Sequence, residues 1–581
     1  MTRRTALVLA GLAWFRRPIL SAGPAPGWPE RLTLDLGYHG ARGGPVTALR
    51  DGSLLWATTE PEAPYTAKAM WPISRLTLRR SRDGGRGWTD PVAFLHGTRD
   101  YSLLSHALRV TRAGTLLHVF VRYSGYDYES ASPAKSLCEV FYHRSTDAGR
   151  TWSEPRKMPT GERYNGDILS LTELTTGRLV YPCAFLTANH GQFATTALYS
   201  DDDGRTWTRS RSVLQAGGGG FESGANEPSV AELPDGRLWM LIRAQTGFQW
   251  QSYSNDGGVT WSDAAPSAIP SSNAPATLLR LKNGKIAIAW NNHVQGNYAR
   301  QSLVLGITAD GRRFEGAREI DATSFPDNPA EPIAHVTYPY LTEAADGTIV
   351  VSYNKGHWMR HNRPALARVR PEWIAAREDV IDFRNGRSGW HTVNPGPNRT
   401  AAVERYATAA DSEDLWLEIE QNKGSANAAG VGHSLPLVAE GEVDVDLQVV
   451  RPDGYLLFSD SLLPPGAAGE ACVRVRAAGG RILVATGTPR TVQRNRGTTV
   501  YSYLGYPVER EAPYPLALPA DGRLRVRLRY SASRSAASIS INGGPVVDLK
   551  TGPILGLTCM GLAVEGGGVL RVRSIHTRLT A

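Results

Sequence analysis

A short turn motif recurs through residues 81–314 and limits what this chain can fold into. Its pattern is Ser-x-Asp-x-Gly-x-Thr-Trp, and the copies start 64, 55, 54 and 54 residues apart. They are Ser81 to Trp88, Ser145 to Trp152, Ser200 to Trp207, Ser254 to Trp261 and a degraded copy from Thr308 to Phe314. A repeat of this length suits one four-stranded propeller blade with its loops.

Each residue of the motif has a structural reason to be there. The Asp side chain can accept local backbone N–H bonds, Gly can adopt positive φ, and the aromatic ring can bury under the turn. Most copies are followed by a turn that leads into an apolar strand pattern, as at Leu233 to Arg243. The 60 Gly and 37 Pro residues also favour many turns between short strands. These motifs are therefore predicted to be structural, in an all-β protein.

This motif resembles the Asp-box of the sialidase superfamily, whose members carry it on a six-bladed β-propeller. The resemblance covers roughly residues 30 to 370, with the region before the first box counted as the opening blade. It implies a propeller and an activity on glycans. Because Asp-boxes also occur on propellers with other activities or none, the fold alone does not establish the chemistry.

The repeat stops near residue 375, where a second domain is predicted to begin. Alternating segments such as 442–447 and 524–529 indicate half-exposed antiparallel strands. We predict a β-sandwich of lectin-like or laminin-G-like shape after the six-bladed propeller. The expected domains are an export signal at 1–25, the propeller at 26–375 and the sandwich at 376–581. If the sandwich binds sugar, Trp390 or Tyr455 would be the exposed aromatic residues, although packing against the propeller is an equal alternative.

Sialidases use a tyrosine nucleophile, a glutamate that activates it, three arginines that hold the substrate carboxylate, and an aspartate as acid/base. The segment from Asn226 to Arg243 is similar to the family segment with the activating Glu and one Arg, so the resemblance assigns these roles to Glu227 and Arg243. A carboxylate beside a phenol can take its proton, and guanidinium groups suit a bound carboxylate. A surface Glu–Arg pair within one blade is the structural alternative.

The resemblance extends to three further positions. Arg300 lies ahead of a strand, as another arginine of the triad does, and Tyr338 precedes an Asp-Gly turn, as the nucleophile does. A strand tyrosine packed against a neighbouring blade is the alternative for Tyr338. The first arginine corresponds to Arg42, but Arg42 has one extra residue before Pro45. A bulge at the intervening Gly-Gly pair could restore its direction.

The acid/base aspartate is the largest departure from the family pattern. The stretch from Thr58 to Trp71, where the family has it, contains no aspartate. The weak candidates are Glu60, Glu62, Asp100 and Asp127, each of which is also an ordinary solvent-exposed carboxylate by its type. The polar loop from Arg163 to Asp167 could face the same pocket, and the histidines scattered through the propeller receive no role.

Charge and targeting signals add a few expectations. The formal charge of +9 is dispersed and helps to attract anionic ligands, without a basic run that would suggest nucleic acid. The start, with Arg3-Arg4 ahead of a short apolar run, resembles a twin-arginine export signal, with an uncleaved anchor as the alternative. No later run is long enough to span a bilayer, so no membrane insertion is expected once the signal is removed.

The remaining expectations concern cysteines and cofactors. The four cysteines favour small buried thiols, although a Cys472–Cys559 bridge is an alternative in an exported chain. No cofactor is expected, since no calcium-loop ligand series is present.

The sequence therefore favours an exported, exo-acting glycoside hydrolase of the sialidase type that removes a terminal acidic sugar. In this reading Tyr338 and Glu227 are catalytic, and Arg243, Arg300 and Arg42 bind the substrate, an acidic glycan. Two alternatives remain open. One is the same site acting on another acidic sugar, uronic or ulosonic, with hydrolytic or lyase chemistry. The other is a non-catalytic glycan-binding propeller.

Overall fold

A computed structural model gives the fold of most of the chain. It describes residues 29–34, 41–62, 73–127, 129–188, 191–219, 223–292, 300–323, 334–357, 362–383, 390–392, 402–406, 416–421, 429–461, 471–496 and 499–580. The predicted export signal at 1–25 lies outside these residues. Within them, no helix is both long enough and apolar enough to cross a bilayer.

The described residues form strands almost throughout. The first part of the chain contains β1 (Glu30–Thr33), β2 (Val46–Ala48), β3 (Leu54–Pro61), β4 (Ser74–Ser81), β5 (Val92–His96), β6 (Ser102–Val110), β7 (Leu116–Gly125), β8 (Leu137–Ser145), β9 (Arg156–Lys157), β10 (Thr172–Glu173), β11 (Leu179–Ala188), β12 (Gln192–Ser200), β13 (Thr208–Arg209), β14 (Ser223–Gly224), β15 (Asn226–Glu232), β16 (Leu238–Arg243), β17 (Phe248–Ser254), β18 (Ala265–Pro270), β19 (Thr277–Arg280), β20 (Ile286–Asn291), β21 (Ser302–Thr308), β22 (Phe314–Ala322), β23 (His335–Glu343), β24 (Ile349–Gly356), β25 (Arg363–Val369) and the short helix α1 (Pro371–Ile374).

The second part of the chain is also built of strands. It contains β26 (Glu378–Ile381), β27 (Trp390–Thr392), β28 (Ala402–Tyr406), β29 (Leu417–Gln421), β30 (Ala429–Val438), β31 (Glu440–Arg451), β32 (Gly454–Ser459), β33 (Val473–Ala478), β34 (Arg481–Gly487), β35 (Arg490–Arg496), β36 (Thr499–Gly505), β37 (Val508–Ala517), β38 (Arg523–Ser531), β39 (Ala536–Ile541), β40 (Val547–Lys550), β41 (Leu557–Val564) and β42 (Val569–Leu579).

The strands β1 to β25 form six successive antiparallel sheets. Five of them use consecutive strands, in the orders β2-β3-β4-β5, β6-β7-β8-β9, β10-β11-β12-β13, β15-β16-β17-β18 and β19-β20-β21-β22, with β14 added in parallel to β12. The sixth has the order β23-β24-β25-β1, so the N-terminal strand completes the last sheet. The first and last sheets are thereby tied together, as expected when a ring of blades closes.

Hydrogen bonds join each sheet to the next. Ser74 bonds to Leu103, Ser105 to Ile168, Thr172 to Val230, Ser229 to Leu278, Thr277 to Pro339 and Trp56 to Ser352. These contacts run through all six sheets and return to the first. The sequence predicts a six-bladed propeller, and we refer to these six linked sheets as the propeller.

The turn motifs have the geometry expected from their residues, which confirms their structural role. In the third full copy, Asp202 accepts bonds from Ser200 and from the backbone N–H of Arg205 and Thr206. Gly204 has a φ of 75°, a conformation open to glycine at little cost, and the ring of Trp207 is buried. Each full copy connects the third and fourth strands of its sheet.

The strand order separates the two ends of the ring. Since neighbouring strands are antiparallel, the turn between a third and a fourth strand lies at one end of a sheet. The start of the first strand and the end of the second lie at the other end. All the turn motifs therefore mark one face, and residues such as Glu227 and Arg243 lie on the opposite face.

From β26 onward the architecture changes to two large sheets. One has eight strands, in the order β28-β29-β42-β31-β38-β39-β40 with β26 added to β42, and the other has the order β27-β30-β41-β32-β33-β34-β37. One hydrophobic core takes residues from both sheets, which makes the unit a β-sandwich. The change of architecture falls between Val369 and Glu378, next to the boundary predicted at residue 375.

The structure decides two expectations, one about the aromatic residues of the sandwich and one about the cysteines. Trp390 and Tyr455 were expected to be exposed if they bind sugar, but they are 6% and 5% exposed and belong to the sandwich core. That expectation was wrong, because both rings are packed into the hydrophobic core between the two sheets. All four cysteines are buried free thiols, as the buried-thiol interpretation predicted.

The sandwich is packed against the propeller. Leu437 of β30 is buried within a core cluster that otherwise consists mostly of propeller residues such as Trp239 and Ile288. Asn292 donates a 2.7 Å hydrogen bond to Thr558, and Arg318 pairs with Asp379 at 2.8 Å. The two units therefore share a partly apolar and partly polar interface.

Candidate active site

Glu227 and Arg243 are brought together by the pairing of two neighbouring strands. Asn226, the first residue of β15, is paired with Arg243, the last residue of β16. The register shifts between Asn226 and Ser229, so Glu227 lies in a bulge. Bulges redirect side chains, and this one lies at the end of the ring opposite the turn motifs.

Tyr338 occupies a similar bulge in the last sheet. The register between β23 and β24 shifts between Thr337 and Tyr340. Tyr338 has a φ of 55° and Glu227 a φ of 41°, which is the left-handed region that residues other than glycine rarely adopt. Such a conformation costs about 1–3 kcal/mol and persists only where the surroundings impose it. Both bulges are thus strained, and the strain coincides with the two predicted catalytic residues.

The two side chains meet directly. The Tyr338 hydroxyl donates to Glu227 Oε1 at 3.0 Å, and Glu227 Oε2 is 2.7 Å from a terminal nitrogen of Arg243. Glu227 and Arg243 are almost entirely buried. A surface Glu–Arg pair, the structural alternative, does not fit this burial. The arrangement instead provides a phenol with a proton acceptor that an arginine keeps in place.

The environment keeps the Tyr338 phenol protonated. Burial raises its pKa above the ordinary tyrosine value, and the negative charge of Glu227 raises it further, against the opposing charges of Arg300 and Arg243. A neutral phenol is a weak nucleophile, so it requires a base at the moment of attack. Glu227 is within the distance that such a base requires.

Arg300 lies beside the aromatic ring of Tyr338. Its guanidinium carbon is 5.3 Å from the centre of the Tyr338 ring. The backbone carbonyl of Arg300 accepts a bond from Val336 in β23, which ties this arginine to the strand that carries the tyrosine.

Asn273 links two of the arginines, and sequence reasoning missed it. Its side-chain oxygen accepts a 2.6 Å bond from Arg243 Nε, while its backbone carbonyl accepts a 2.7 Å bond from Arg300. Asn273 lies between β18 and β19, in a segment without a motif. No local signal marked it, because its role depends on two arginines that are distant in the sequence from each other.

Arg42 also reaches the tyrosine, despite the extra residue before Pro45. Its guanidinium carbon is 5.6 Å from the centre of the Tyr338 ring. The backbone of Arg42 pairs with Thr59, and the Gly43 amide donates to Asn354 at 2.7 Å. A side chain on Gly43 or Gly44 would lie about 2.5 Å from the backbone oxygen of Tyr353 or Ala57. The two glycines therefore allow a close approach that places Arg42 beside the cluster.

Asp167 is a second carboxyl group in this cluster. It lies 3.4 Å from a terminal nitrogen of Arg42, and 16% of its side chain is exposed. Burial raises its pKa to about 6; Arg42 opposes the shift, and the charge of Glu227 adds to it. The sequence marked the loop from Arg163 to Asp167 as polar, but assigned it no role.

The four weak candidates for the acid/base lie in other surroundings. Glu60 was expected to be solvent-exposed, but that expectation was wrong, because it is buried in ion pairs with Arg75 and Arg79 at 3.1 and 3.0 Å. Glu62 accepts a 2.8 Å bond from His96 near the surface. Asp100 lies in an exposed loop, and the remaining candidate, Asp127, bonds to serines within its own loop. Each of these carboxylates has a local structural explanation.

Three of the propeller histidines form a buried chain. His106 is hydrogen-bonded to His118 at 3.0 Å, and His118 to His143 at 2.8 Å. Burial lowers the pKa of all three imidazoles, to about 3 for His106 and about 4 for His143. They are neutral groups within the second sheet. Among the residues that the structure describes, no cluster of three or more His, Cys, Asp or Glu side chains is arranged to hold a metal ion.

Comparison with known proteins relates the chain to sialidases. Residues 75–351 match the BNR repeat-like domain family. Over 394 residues the chain is 27% identical to a sialidase of Micromonospora viridifaciens, covering 60% of this chain and 56% of that protein. It is 24% identical over 288 residues to a sialidase of Clostridium perfringens, covering 46% of this chain and 67% of that one. The chain thus spans little more than half of the first of these relatives.

Solved structures are similar to somewhat more than half of the chain. A protein of unknown function from Dyadobacter fermentans aligns with a TM-score of 0.45 and 21% identity, over 59% of this chain and 98% of that one. A leech intramolecular trans-sialidase aligns with a TM-score of 0.45 and 14% identity, over 59% of this chain and 71% of that one. The repeated turn motif, the BNR repeat-like match at residues 75–351 and the curated relatives agree, and together they relate this chain to the sialidase/BNR superfamily.

Proposed function

We propose that this protein is an exo-acting glycoside hydrolase of the sialidase type, which removes a terminal acidic sugar from glycans. The observation that carries the proposal is the partly buried hydrogen bond between Tyr338 and Glu227 within a group of three arginines. A phenol with its own base is a catalytic arrangement, and the arginines define the kind of substrate that it serves.

The charge of the site favours an anionic ligand. Arg42, Arg243 and Arg300 contribute three positive charges, whereas Glu227 and Asp167 contribute at most two negative ones. The net charge is positive, and guanidinium groups match a carboxylate in geometry. A carboxylate on the substrate would also repel an anionic nucleophile, which is avoided here because the phenol is neutral until it attacks.

The first chemical step follows from this geometry. The Tyr338 oxygen attacks the anomeric carbon while Glu227 takes the phenolic proton, and the bond from that carbon to the leaving oxygen breaks. Water then attacks the anomeric carbon from the face that the leaving group has vacated, opposite the tyrosine, and Glu227 returns the proton to the Tyr338 oxygen. The leaving oxygen takes up one proton in the first step and the attacking water releases one in the second, so the protons balance. Two displacements at one carbon retain the anomeric configuration of the sugar.

The test is sugar release by the purified protein from a panel of sialosides and of other acidic glycosides, including uronides. Tyr338→Phe is expected to lower kcat/KM by at least about 10²-fold, because it removes both the nucleophile and its proton. Tyr142→Phe is the control: Tyr142 is also a strand tyrosine of the propeller, but its hydroxyl donates to the backbone carbonyl of Arg205 within a turn motif, at the end of the ring opposite the site. This control should retain activity near that of the wild type.

The result of this assay distinguishes the proposed hydrolase from the two alternative functions. Release of sialic acid with retention, seen by NMR of the first product anomer, supports the sialidase-type reaction. Activity confined to another acidic sugar keeps the site and changes the substrate. If glycans bind but no substrate of the panel is turned over, the protein is a binding propeller and the proposal fails.

A further inference from the structure

The proposed reaction needs an acid that protonates the leaving oxygen. The sequence and the structure exclude the loop of the opening blade as its source. The stretch 63–72, APYTAKAMWP, contains no Asp or Glu. The two glutamates that precede it are engaged elsewhere, Glu60 in buried ion pairs and Glu62 with His96. The opening blade therefore does not supply this group from the loop where the superfamily has it.

We propose that Asp167, from the loop that precedes β10, is the acid/base catalyst of this site; this inference rests on the proposed function. The carboxyl group lies 3.4 Å from Arg42, which itself lies over the ring of Tyr338. The loop is held in place, since Gly166 donates its amide to Ala184 and Ile168 bonds to both Ser105 and Tyr340. The side chain is nevertheless partly exposed, as a group that meets substrate must be.

The surroundings of Asp167 favour a carboxyl group that keeps its proton to a higher pH than an ordinary aspartate does. The charged and titratable groups that interact with it are Arg42, Arg243, Glu227, Tyr338, Tyr340 and Cys138. Burial disfavours its ionised form, and Glu227 adds repulsion, while Arg42 and Arg243 act in the opposite direction. Asp167 can thus donate a proton, whereas Glu227, paired with Arg243, can accept one.

Substrate binding would strengthen this property. When the substrate carboxylate engages Arg42, it offsets the positive charge that stabilises ionised Asp167. The pKa of Asp167 then rises in the complex, and the acid is protonated when the glycoside is in place.

The proton balance closes over both steps. In the first, Asp167 donates its proton to the leaving oxygen as the bond to the anomeric carbon breaks, while Tyr338 bonds to that carbon and gives its proton to Glu227. In the second, the Asp167 carboxylate takes a proton from the attacking water, and Glu227 reprotonates Tyr338 as that bond breaks. Both carboxyl groups end as they began.

The test uses two glycosides of the same acidic sugar on the full chain, one with a 4-nitrophenyl leaving group and one with a sugar leaving group. Nitrophenolate is a stable anion and can leave without being protonated. The oxygen of a sugar leaving group must receive a proton as its bond breaks. Asp167→Asn is therefore expected to lower kcat/KM by about 10²–10⁴-fold for the disaccharide and by less than about tenfold for the nitrophenyl glycoside. Azide should restore turnover of the nitrophenyl glycoside by Asp167→Ala and yield the glycosyl azide of retained configuration.

Two variants serve as controls. Asp100→Asn and Asp127→Asn alter the other candidate aspartates and should change neither rate. Equal losses on both substrates in Asp167→Asn, without azide rescue, would show that Asp167 only maintains the structure and would overturn the inference. Failure of the wild type to cleave any acidic glycoside would instead overturn the proposed function, which makes the two failures distinguishable.

The pH dependence of the wild type gives a second readout, which holds even if the variants do not fold. Because the acid must be protonated, disaccharide hydrolysis should fall as the pH rises through the pKa of Asp167. The fall in kcat should lie at higher pH than the fall in kcat/KM, since kcat reports the complex and kcat/KM the free enzyme. The nitrophenyl glycoside should show no such fall in kcat/KM. The same fall with both leaving groups would contradict the role.

Thermal stability offers a third readout that needs no substrate. The pKa of Asp167 in the folded protein lies above the ordinary carboxyl value, so its contribution to stability is full below about pH 4 and is lost as the pH rises through about 6. The Tm of Asp167→Asn relative to the wild type should therefore increase by a few degrees between pH 4 and 7. A difference that does not change with pH would show that folding does not raise the pKa of Asp167, contrary to the surroundings proposed for the acid.

Discussion

At the scale of single residues, the site combines positively charged guanidinium groups with carboxyl groups around one phenol. Three guanidinium groups surround one phenol, and two carboxyl groups keep the cluster from being wholly positive. Each carboxyl group is next to a different arginine: Glu227 next to Arg243, and Asp167 next to Arg42. This division gives two carboxyl groups of one site unlike surroundings, which is how a single site can contain both an acid and a base.

Asn273 offers a residue-scale prediction, because it positions two arginines without being charged. Asn273→Ala removes the acceptor of Arg243 Nε, and the loss of a buried partner costs about 1–3 kcal/mol. We expect KM, or the Ki of an acidic product, to rise by about tenfold or more while kcat for the nitrophenyl glycoside falls less. Steady-state kinetics give both values.

Asn273→Asp is the informative companion to this variant. It keeps the acceptor but adds a negative charge, so it should preserve the orientation of Arg243 and still weaken binding of an anionic ligand. If both variants leave KM unchanged, Asn273 does not position the arginines.

At the scale of elements, the same strand pairs serve two purposes. One end of each sheet is closed by a turn motif, and the other end presents the first strand and the residues of the site. The bulges at Glu227 and Tyr338 interrupt regular pairing at the second end only. Positive φ at non-glycine residues occurs on both faces, since Ala148 and Asp203 within the turn motifs also adopt it. On the face of the site it coincides with the bulges that carry Glu227 and Tyr338.

Asp256 tests the role of the turns. Its carboxylate accepts bonds from the hydroxyl of Ser254 and from the amide and hydroxyl of Thr260. Burial opposes ionisation, but these bonds prevail and lower its pKa, so its contribution to stability is present above the ordinary carboxyl pKa and is lost in acid. Asp256→Ala should cost about 1 kcal/mol at pH 7, with kcat unchanged at a temperature where the protein is folded.

The measurement is thermal unfolding at neutral and at acid pH. Asp263→Ala, an exposed carboxylate just after the same motif, is the matched control and should leave Tm near that of the wild type. A loss of stability for Asp256→Ala that is equally large at pH 2 and pH 7 would refute the account based on ionised Asp256.

At the scale of the whole molecule, the sandwich and the propeller share buried surface. Leu437 from the sandwich lies in a propeller core cluster, and Thr558 bonds to Asn292, which follows strand β20 of the propeller. A shared apolar contact of this kind couples the stability of two units. We therefore expect the sandwich and the propeller to unfold together.

Leu437→Ala should uncouple the two units. Loss of a buried leucine costs about 2–5 kcal/mol, and here the cost falls on the interface. We expect the wild type to unfold in one calorimetric transition and the variant in two, or in one that is lower by several degrees. Val546→Ala, at a side chain that is 63% exposed, is the control. An unchanged transition in Leu437→Ala would show that the interface contributes little.

The sequence by itself was sufficient to predict the repeated sheets and the turns. It also identified Tyr338, Glu227, Arg243 and Arg300 as candidates for the site. These features are local, since hydrogen bonds within a turn and alternation along a strand involve residues close together in the chain. Even the interruption at Gly43-Gly44 could be interpreted locally as a bulge near Arg42.

Only the tertiary structure decided how the parts meet. Asp167 and Asn273 join the site through contacts between different sheets, and no local pattern encodes such contacts. The same reason explains Trp390 and Tyr455. Aromatic residues can bind sugars at a protein surface, but the packing of the two sheets places these two inside the core of the sandwich. Charge balance and burial depend on neighbours that are distant in the sequence, and these two properties distinguish a catalytic carboxyl group from a structural one.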